Sequence, residues 1–83
     1  MPDFSWEVFM PLNLADFDID YTITRICGND TVRHRMEVLG FTSGETVRLL
    51  SKFDSNYIVC IKKSKLGISK ELLRRVIVEK KHQ

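Results

Sequence analysis

Side chains that could bind a metal ion are few and scattered along this chain. His34 and Glu37 stand three residues apart in a segment with helical spacing, so both could reach one ion. Such a site needs a third and a fourth ligand, and the two cysteines, Cys27 and Cys60, are far apart in sequence and form no C-x-x-C motif. We interpret His34 and Glu37 as a polar helix face and Cys60 as a small apolar residue of a strand. The sequence therefore predicts neither a metal site nor a cofactor.

No catalytic motif occurs in the chain. Gly40 and Gly44 do not have the spacing of the phosphate-binding motif G-x-x-x-x-G-K-S/T, and Gly44 is followed by Glu45 rather than by lysine. Neither G-x-S-x-G nor H-E-x-x-H is found. The two histidines, His34 and His82, have no sequence context that would place either in a catalytic triad. We therefore predict a protein that is not an enzyme.

Length and composition indicate a single globular domain. The chain has 83 residues, which is room for one domain with one hydrophobic core. Hydrophobic residues make up 43% and charged residues 29%, which argues against a disordered or a membrane-embedded chain. The longest apolar clusters fall far short of the roughly 20 residues of a membrane-spanning helix, and the N-terminal segment lacks the features of a secretory signal. We expect a cytoplasmic protein.

Positive charge is mild and gathers only near the end of the chain. The formal net charge is +2. Four basic residues are concentrated there: Arg74, Arg75, Lys80 and Lys81. A surface that binds nucleic acid usually carries a longer and more strongly basic stripe. We therefore expect these basic residues to face solvent, and we expect no nucleic-acid partner. Nucleic-acid binding is kept as an alternative that this cluster alone supports.

One short helix is predicted in the segment "GNDTVRHRMEVLG". Asn29 or Asp30 can cap its first amides, and Gly40 suits the left-handed position just after its last turn. Three apolar residues recur at helical spacing between these ends: Val32, Met36 and Leu39. The buried face of the helix is therefore expected to be narrow.

Strand-forming segments make up most of the remaining chain. Five of them are recognised, at residues 21–27, 45–53, 57–63, 64–69 and 75–79, with a single helical turn before the last. The apolar alternation of the first breaks between Ile23 and Ile26, which indicates a bulge or a strong twist. We predict a mainly β fold: a small barrel of about five strands, closed to protect its edges, with the helix inserted between the first and second strands. Residues 1–11 form an N-terminal extension and residues 12–83 the domain.

Large apolar side chains flank the corner "RMEVLGFTSGETV" that joins the helix to the second strand. Leu39 and Val47 are expected in the core, and the glycines supply the backbone angles of the turn. A domain of this size does not cover every large side chain. Phe41, Leu50 and Phe53 are therefore candidates for an exposed apolar patch, although the core is the favoured position for Phe41 and Phe53.

The order of these features resembles the ferrous iron transport protein A family, FeoA. The hallmark of that family is a short helix ending in Leu-Gly, an apolar residue, and a Pro-Gly-x-x-Val turn into a strand. The resemblance runs from about residue 12 to residue 79. Six residues fall on the family pattern without a gap: Arg33, Arg35, Leu39, Gly40, Gly44 and Val47. Ser43 stands where the family usually has proline, and "FDSN" replaces the usual Pro-containing loop.

The resemblance implies an SH3-like barrel with an inserted helix and a regulatory rather than a catalytic role. Members of the family are thought to dock on FeoB, a ferrous iron transporter of the membrane that carries its own GTP-binding domain. This chain would then lie in the cytoplasm and reach the membrane only through its partner. The partner-binding residues expected from the family-specific corner and the loop at residues 53–56 are Leu39, Gly40, Phe41, Gly44, Phe53 and Asn56.

Two other functional hypotheses stay open. The same barrel resembles the C-terminal domain of iron-dependent repressors, which makes an SH3-like regulatory or nucleic-acid-binding module the main alternative. Direct binding of ferrous iron, a transition metal ion, through His34, Glu37 and one cysteine is the last of the hypotheses. The sequence leaves self-association open, as well as whether the protein activates or inhibits its partner.

Overall fold

The computed structural model describes residues 9–80 and contains six β-strands, two short α-helices and one turn of 3-10 helix. The strands are β1 (Met10–Pro11), β2 (Asp20–Ile26), β3 (Thr46–Phe53), β4 (Asn56–Ile61), β5 (Ser64–Ser69) and β6 (Val76–Lys80). The helices are α1 (Asp30–Val38) and α2 (Lys70–Leu73), and the 3-10 turn spans Leu12–Leu14. The predicted mainly β fold, with a helix between the first two long strands, is confirmed. The sequence missed β1, because two residues are too few to show an alternation.

All six strands belong to one antiparallel sheet with the order β1-β6-β2-β3-β4-β5. Within residues 9–80 the strand pairing does not close into a ring, so the predicted closure of the barrel is wrong and β1 and β5 are edge strands. Helix α2 contacts β4, β5 and the 3-10 turn that follows β1. The two ends of the sheet are therefore connected through α2 and not through hydrogen bonds between strands. No helix in the described part of the chain is long and apolar enough to span a membrane.

Two bulges curl the sheet. The register of β2 against β6 shifts between Ile23 and Arg25, where the sequence predicted a break. The register of β3 against β4 shifts between Leu49 and Ser51, which leaves Leu50 without a direct partner. Each bulge increases the local right-handed twist, so short strands can wrap around one core.

Helix α1 begins and ends where the sequence places its signals. The side chain of Asn29 accepts a hydrogen bond from the amide of Val32 at 2.9 Å, which satisfies one of the free amides of the first turn. At the other end, the amides of Gly40 and Phe41 donate to the carbonyl oxygens of Glu37 and Met36 at 2.9 and 3.0 Å. With Gly40 at a φ of 107°, these bonds form a Schellman motif. Helix α1 therefore ends at Val38, and the chain leaves it in a fixed direction.

The core lies on the concave face of the sheet. It is formed by alternating strand residues together with Leu12 of the 3-10 turn, Met36 of α1 and Leu73 of α2. Phe41 is fully buried in it, as its favoured position in the sequence analysis implies. Of the other candidates for an exposed patch, Leu50 is half-buried. Phe53 is 59% exposed, so the core position favoured for it is wrong, because it lies at the end of β3 beside the turn to β4.

The N-terminal boundary of the sheet falls inside the predicted extension. Met10 and Pro11 pair with Val78 and Ile77 of β6, and Leu12 directly after them is fully buried. Residues 1–8 of the extension lie outside the described residues, and so do residues 81–83. Met10 and Pro11 of the predicted extension therefore belong to the sheet, whereas Phe9 before them does not.

Candidate functional site

The end of α1 presents two adjacent apolar side chains to solvent. Val38 is 72% exposed and Leu39 is 40% exposed. Met36 points into the core, and Val38 lies two residues later, about 200° further around the helix, which turns it away from the domain. Leu39 was named as a partner-binding residue but was expected in the core, and that expectation is wrong because Leu39 follows the last turn of α1, where the chain turns away from the core. Val38 was missed, although the helical spacing could have identified it. We call Val38 and Leu39 the helix-end surface.

Phe41, which was also expected to contact a partner, lies beneath this surface. Gly40 reverses the chain in the left-handed region, and the amide of Phe41 is held by the carbonyl oxygen of Met36. This geometry directs the Phe41 ring into the core, where it is fully buried. The Phe41 side chain therefore cannot touch a partner in this structure. It supports the corner that positions Leu39.

The turn that follows is anchored to β2. Gly44 has a φ of 90°, and its amide donates to the carbonyl oxygen of Ile23 at 2.8 Å. The hydroxyl of Ser43 donates to the carbonyl oxygen of Thr24 at 2.9 Å. A hydrogen bond thus holds the turn at the position where the family usually has proline. The corner after α1 is fixed from both sides, by the Schellman motif and by β2.

Phe53 and Asn56 lie at the other end of β3. Both are exposed, and they pair with each other across the turn between β3 and β4. The seven residue steps from Thr46 to Phe53 correspond to roughly 23 Å of extended chain. The structure therefore does not bring Phe53 and Asn56 next to Leu39, Gly40 and Gly44. The two expected segments of the partner surface are separated by the length of a strand.

A groove of about 600 Å³ crosses the convex face of the sheet between these two ends. Apolar atoms of Leu50 and Cys60 line it. The Nε–H of Arg48 donates a hydrogen bond of 2.8 Å to the carboxylate of Asp20 across the groove. That hydrogen bond raises the pKa of the Arg48 guanidinium above its ordinary value. The remaining charged residues along the groove are Glu45, Lys62, Lys63 and Lys65.

A second cavity of about 370 Å³ lies on the same face near the β3–β4 turn. Gly67 of β5 pairs with Ile58 of β4, and because Gly67 has no side chain the Ile58 side chain is left uncovered. Phe53 and Asn56 form its rim. We call this cavity the Gly67 notch.

Neither pair of metal-ligand candidates is completed by a third group. Among residues 9–80, no three His, Cys, Asp or Glu side chains converge in a way that could hold a metal ion. His34 and Glu37 are exposed on α1, and Cys27 and Cys60 are free, half-buried thiols.

Domains of two solved repressor structures have the same fold as this chain. The manganese-activated repressor ScaR with bound Zn²⁺ superposes with a TM-score of 0.77 at 21% identity, over 94% of this chain and 39% of the repressor. IdeR of T. acidophilum gives a TM-score of 0.77 at 14% identity, over 95% of this chain and 37% of that protein. The chain thus has the fold of the SH3-like domains that form part of metal-dependent repressors.

Two smaller proteins match over all or nearly all of their length. An iron uptake regulatory protein, FeoA, has a TM-score of 0.82 at 24% identity, over 89% of this chain and all of its own. A FeoA-like protein from Clostridium acetobutylicum has a TM-score of 0.79 at 16% identity, over 90% of this chain and 92% of its own. No curated protein matches the sequence at a significant level. The FeoA domain model matches residues 10–80, and the chain therefore belongs to the FeoA family, a small accessory family of ferrous iron transport.

Proposed function

We propose that this protein is a cytoplasmic regulator of ferrous iron transport that docks on a FeoB-type membrane transporter. Membership of the FeoA family supports the process. The observation that carries the docking step is the helix-end surface, Val38 and Leu39, which lies at the most family-specific corner of the chain. Gly40 and Gly44 support docking by fixing the backbone of that corner. Phe41 supports it by anchoring the corner in the core.

The helix-end surface has the properties of a docking site. Single exposed apolar residues are common on proteins, but Val38 and Leu39 are adjacent and sit on a backbone held by hydrogen bonds. A rigid apolar pair loses little conformational entropy when a partner covers it. The neighbouring turn between β4 and β5 adds Lys62, whose side chain passes 3.8 Å from the position that a Cβ on Gly40 would take. The site is thus apolar, with the side chain of Lys62 at its border.

The test is co-purification of the full chain with a FeoB-type transporter. Val38→Asp and Leu39→Asp are expected to lower the retained fraction at least about tenfold, because a carboxylate would be buried against apolar contacts. Leu14→Asp is the matched control, since Leu14 is 66% exposed on the 3-10 turn. Circular dichroism should show the same fold for all three variants.

Three outcomes bear on this proposal. Retention of the unaltered chain and of Leu14→Asp, with loss for the two helix-end variants, supports docking through Val38 and Leu39. Equal loss for all variants contradicts this location. If the unaltered chain is not retained and does not change GTP hydrolysis by the transporter, the proposed function is wrong.

Nucleic-acid binding gains no support from the described part of the basic cluster. Arg74 lies 3.6 Å from Glu71 in an ion pair. The guanidinium of Arg75 is directed toward Gly28, 3.4 Å from the position that a Cβ there would take. These side chains are thus partly engaged within the domain and do not form a continuous basic stripe.

A further inference from the structure

Strand β5 leaves one edge of the sheet open. It is the last strand in the sheet order, it has six residues, and within residues 9–80 no strand pairs with its second edge. An edge of this kind presents unpaired amide and carbonyl groups to which an extended peptide can add. Affinity in such complexes comes from the main chain, and specificity comes from the sites that receive alternate side chains.

Alternate residues of β5 face the convex side of the sheet. Lys65 pairs with Cys60 and Gly67 pairs with Ile58, whereas Leu66 between them is half-buried against the core. Successive side chains of a strand point to opposite faces. A peptide added to β5 would therefore place two side chains, two residues apart, beside Lys65 and beside Gly67.

The position beside Lys65 favours a carboxylate. Lys62 faces Glu45 at 3.9 Å and Arg48 is bonded to Asp20, so these two cations are compensated. Lys63 and Lys65 have no ion pair with any other described residue. Opposite charges on neighbouring strands attract each other, and an acidic side chain beside Lys65 would supply the missing charge.

The position beside Gly67 favours a large apolar side chain. The Gly67 notch has a volume of about 370 Å³, with Ile58 uncovered by Gly67 and Phe53 on its rim. Phe53 is 59% exposed, so an apolar side chain in the notch would remove part of its surface from water.

We propose that β5 binds an extended segment of a partner protein in which an acidic residue stands two positions from a large apolar residue. The segment adds to the sheet as a strand, with its carboxylate beside Lys65 and its apolar side chain in the Gly67 notch. The identity of the partner protein rests on the proposed function, since the segment would belong to the transporter. Binding of the segment itself is tested without the transporter.

The probe is the peptide acetyl-Ser-Glu-Ser-Phe-Ser-Glu-Ser-amide, titrated into isotope-labelled full chain and followed by NMR. It carries glutamate two residues before and after phenylalanine, so it fits β5 in either strand direction. We expect saturable shifts of the β5 amides. Peptides with lysine in place of both glutamates, or alanine in place of phenylalanine, should bind about fivefold more weakly or not at all.

Matched variants separate charge from shape. Lys63→Glu with Lys65→Glu is expected to weaken binding of the probe at least about fivefold. Lys70→Glu with Lys80→Glu changes the net charge equally on exposed residues of α2 and β6 and should leave binding unchanged. Gly67→Val fills the notch, and its Cβ would lie an ordinary 3.7 Å from Ile58, so the variant should fold and lose the preference for phenylalanine.

Several results would overturn this inference. If no β5 amide shifts, Lys63 and Lys65 only protect an exposed edge from aggregation. Equal binding of the acidic and basic peptides removes the role of the lysines, and shifts with duplex DNA but not with the probe favour nucleic-acid binding instead. Failure of the peptide with continued co-purification of the transporter contradicts this inference alone. Peptide binding without co-purification contradicts the proposed function alone.

Discussion

Phe41 supports the corner that follows α1. Its ring is fully buried, its amide is bonded to the carbonyl oxygen of Met36, and Met36 is itself fully buried. Val38 and Leu39 lie between these two residues in sequence and face solvent. The exposed apolar residues are thus carried on a well-packed base, which keeps their orientation fixed.

Phe41→Ala should therefore act through stability and not through partner contact. Removal of a fully buried phenyl ring is expected to lower the free energy of unfolding by about 3–5 kcal/mol, because it removes buried apolar surface and leaves a cavity. Urea denaturation followed by circular dichroism measures this quantity. Phe53→Ala is the control on an exposed ring, with an expected loss below about 1 kcal/mol. Losses of similar size for the two variants would contradict the assignment of Phe41 to the core.

At the scale of elements, the junction between α1 and β3 depends on backbone conformation. Gly40 and Gly44 have φ values of 107° and 90°, which are unfavourable for any residue that carries a Cβ atom. The hydroxyl of Ser43 ties the same turn to β2. The direction of α1 relative to the sheet therefore depends on a few local bonds rather than on a large helix interface, since Met36 is the only fully buried residue of the helix.

Gly40→Val should destabilise this junction. A Cβ at Gly40 would have ordinary contacts, at 3.7 Å from Ile61, so the cost of the substitution comes from its positive φ. We expect a loss of about 1–3 kcal/mol in the free energy of unfolding, measured by urea denaturation. Gly67→Val provides the comparison, because Gly67 has no positive φ and similar space. An equal effect at both glycines would show that backbone strain is not the cause.

At the scale of the whole molecule, β5 connects the two segments that the sequence proposed as one partner surface. Its first residue, Ser64, pairs with Ile61 near the corner after α1, and its last residue, Ser69, pairs with Asn56 beside Phe53. A partner segment that lies along β5 would extend from the border of the helix-end surface to the Gly67 notch. Such a segment would bridge the length of β3 that separates Leu39 from Phe53.

The start of the sheet is expected to be essential for folding of the whole domain. Deletion of residues 1–14 removes β1 and the fully buried Leu12 from a core that is small at this chain length. We expect loss of the cooperative urea transition at 25 °C. Deletion of residues 1–8 alone leaves β1 and Leu12 in place and should preserve the transition. A cooperative transition with an unchanged midpoint in the longer deletion would contradict this view of the N-terminal boundary.

Local signals in the sequence were sufficient for the helices, the longer strands and the family, but not for the two-residue strand β1. The cap at Asn29, the stop at Gly40, the strand alternation and the break after Ile23 depend on residues that are close along the chain. The FeoA pattern also lies in one continuous segment around residues 33–47. Such features are encoded by backbone preferences and neighbouring side chains, so they can be recognised without knowledge of the fold.

Exposure and distance were decided by the tertiary structure. Leu39 is exposed, against its expected core position, because the Schellman motif fixes how the chain leaves α1 relative to a core built from distant strands. Phe53 is separated from Leu39 by the length of β3, and Lys65 and Gly67 share a face with Cys60 and Ile58 only through the β4–β5 register. The sequence by itself determined the helices, the longer strands and the family, because those depend on local interactions. Only the fold determined which side chains form a surface, because burial depends on contacts between residues far apart in sequence.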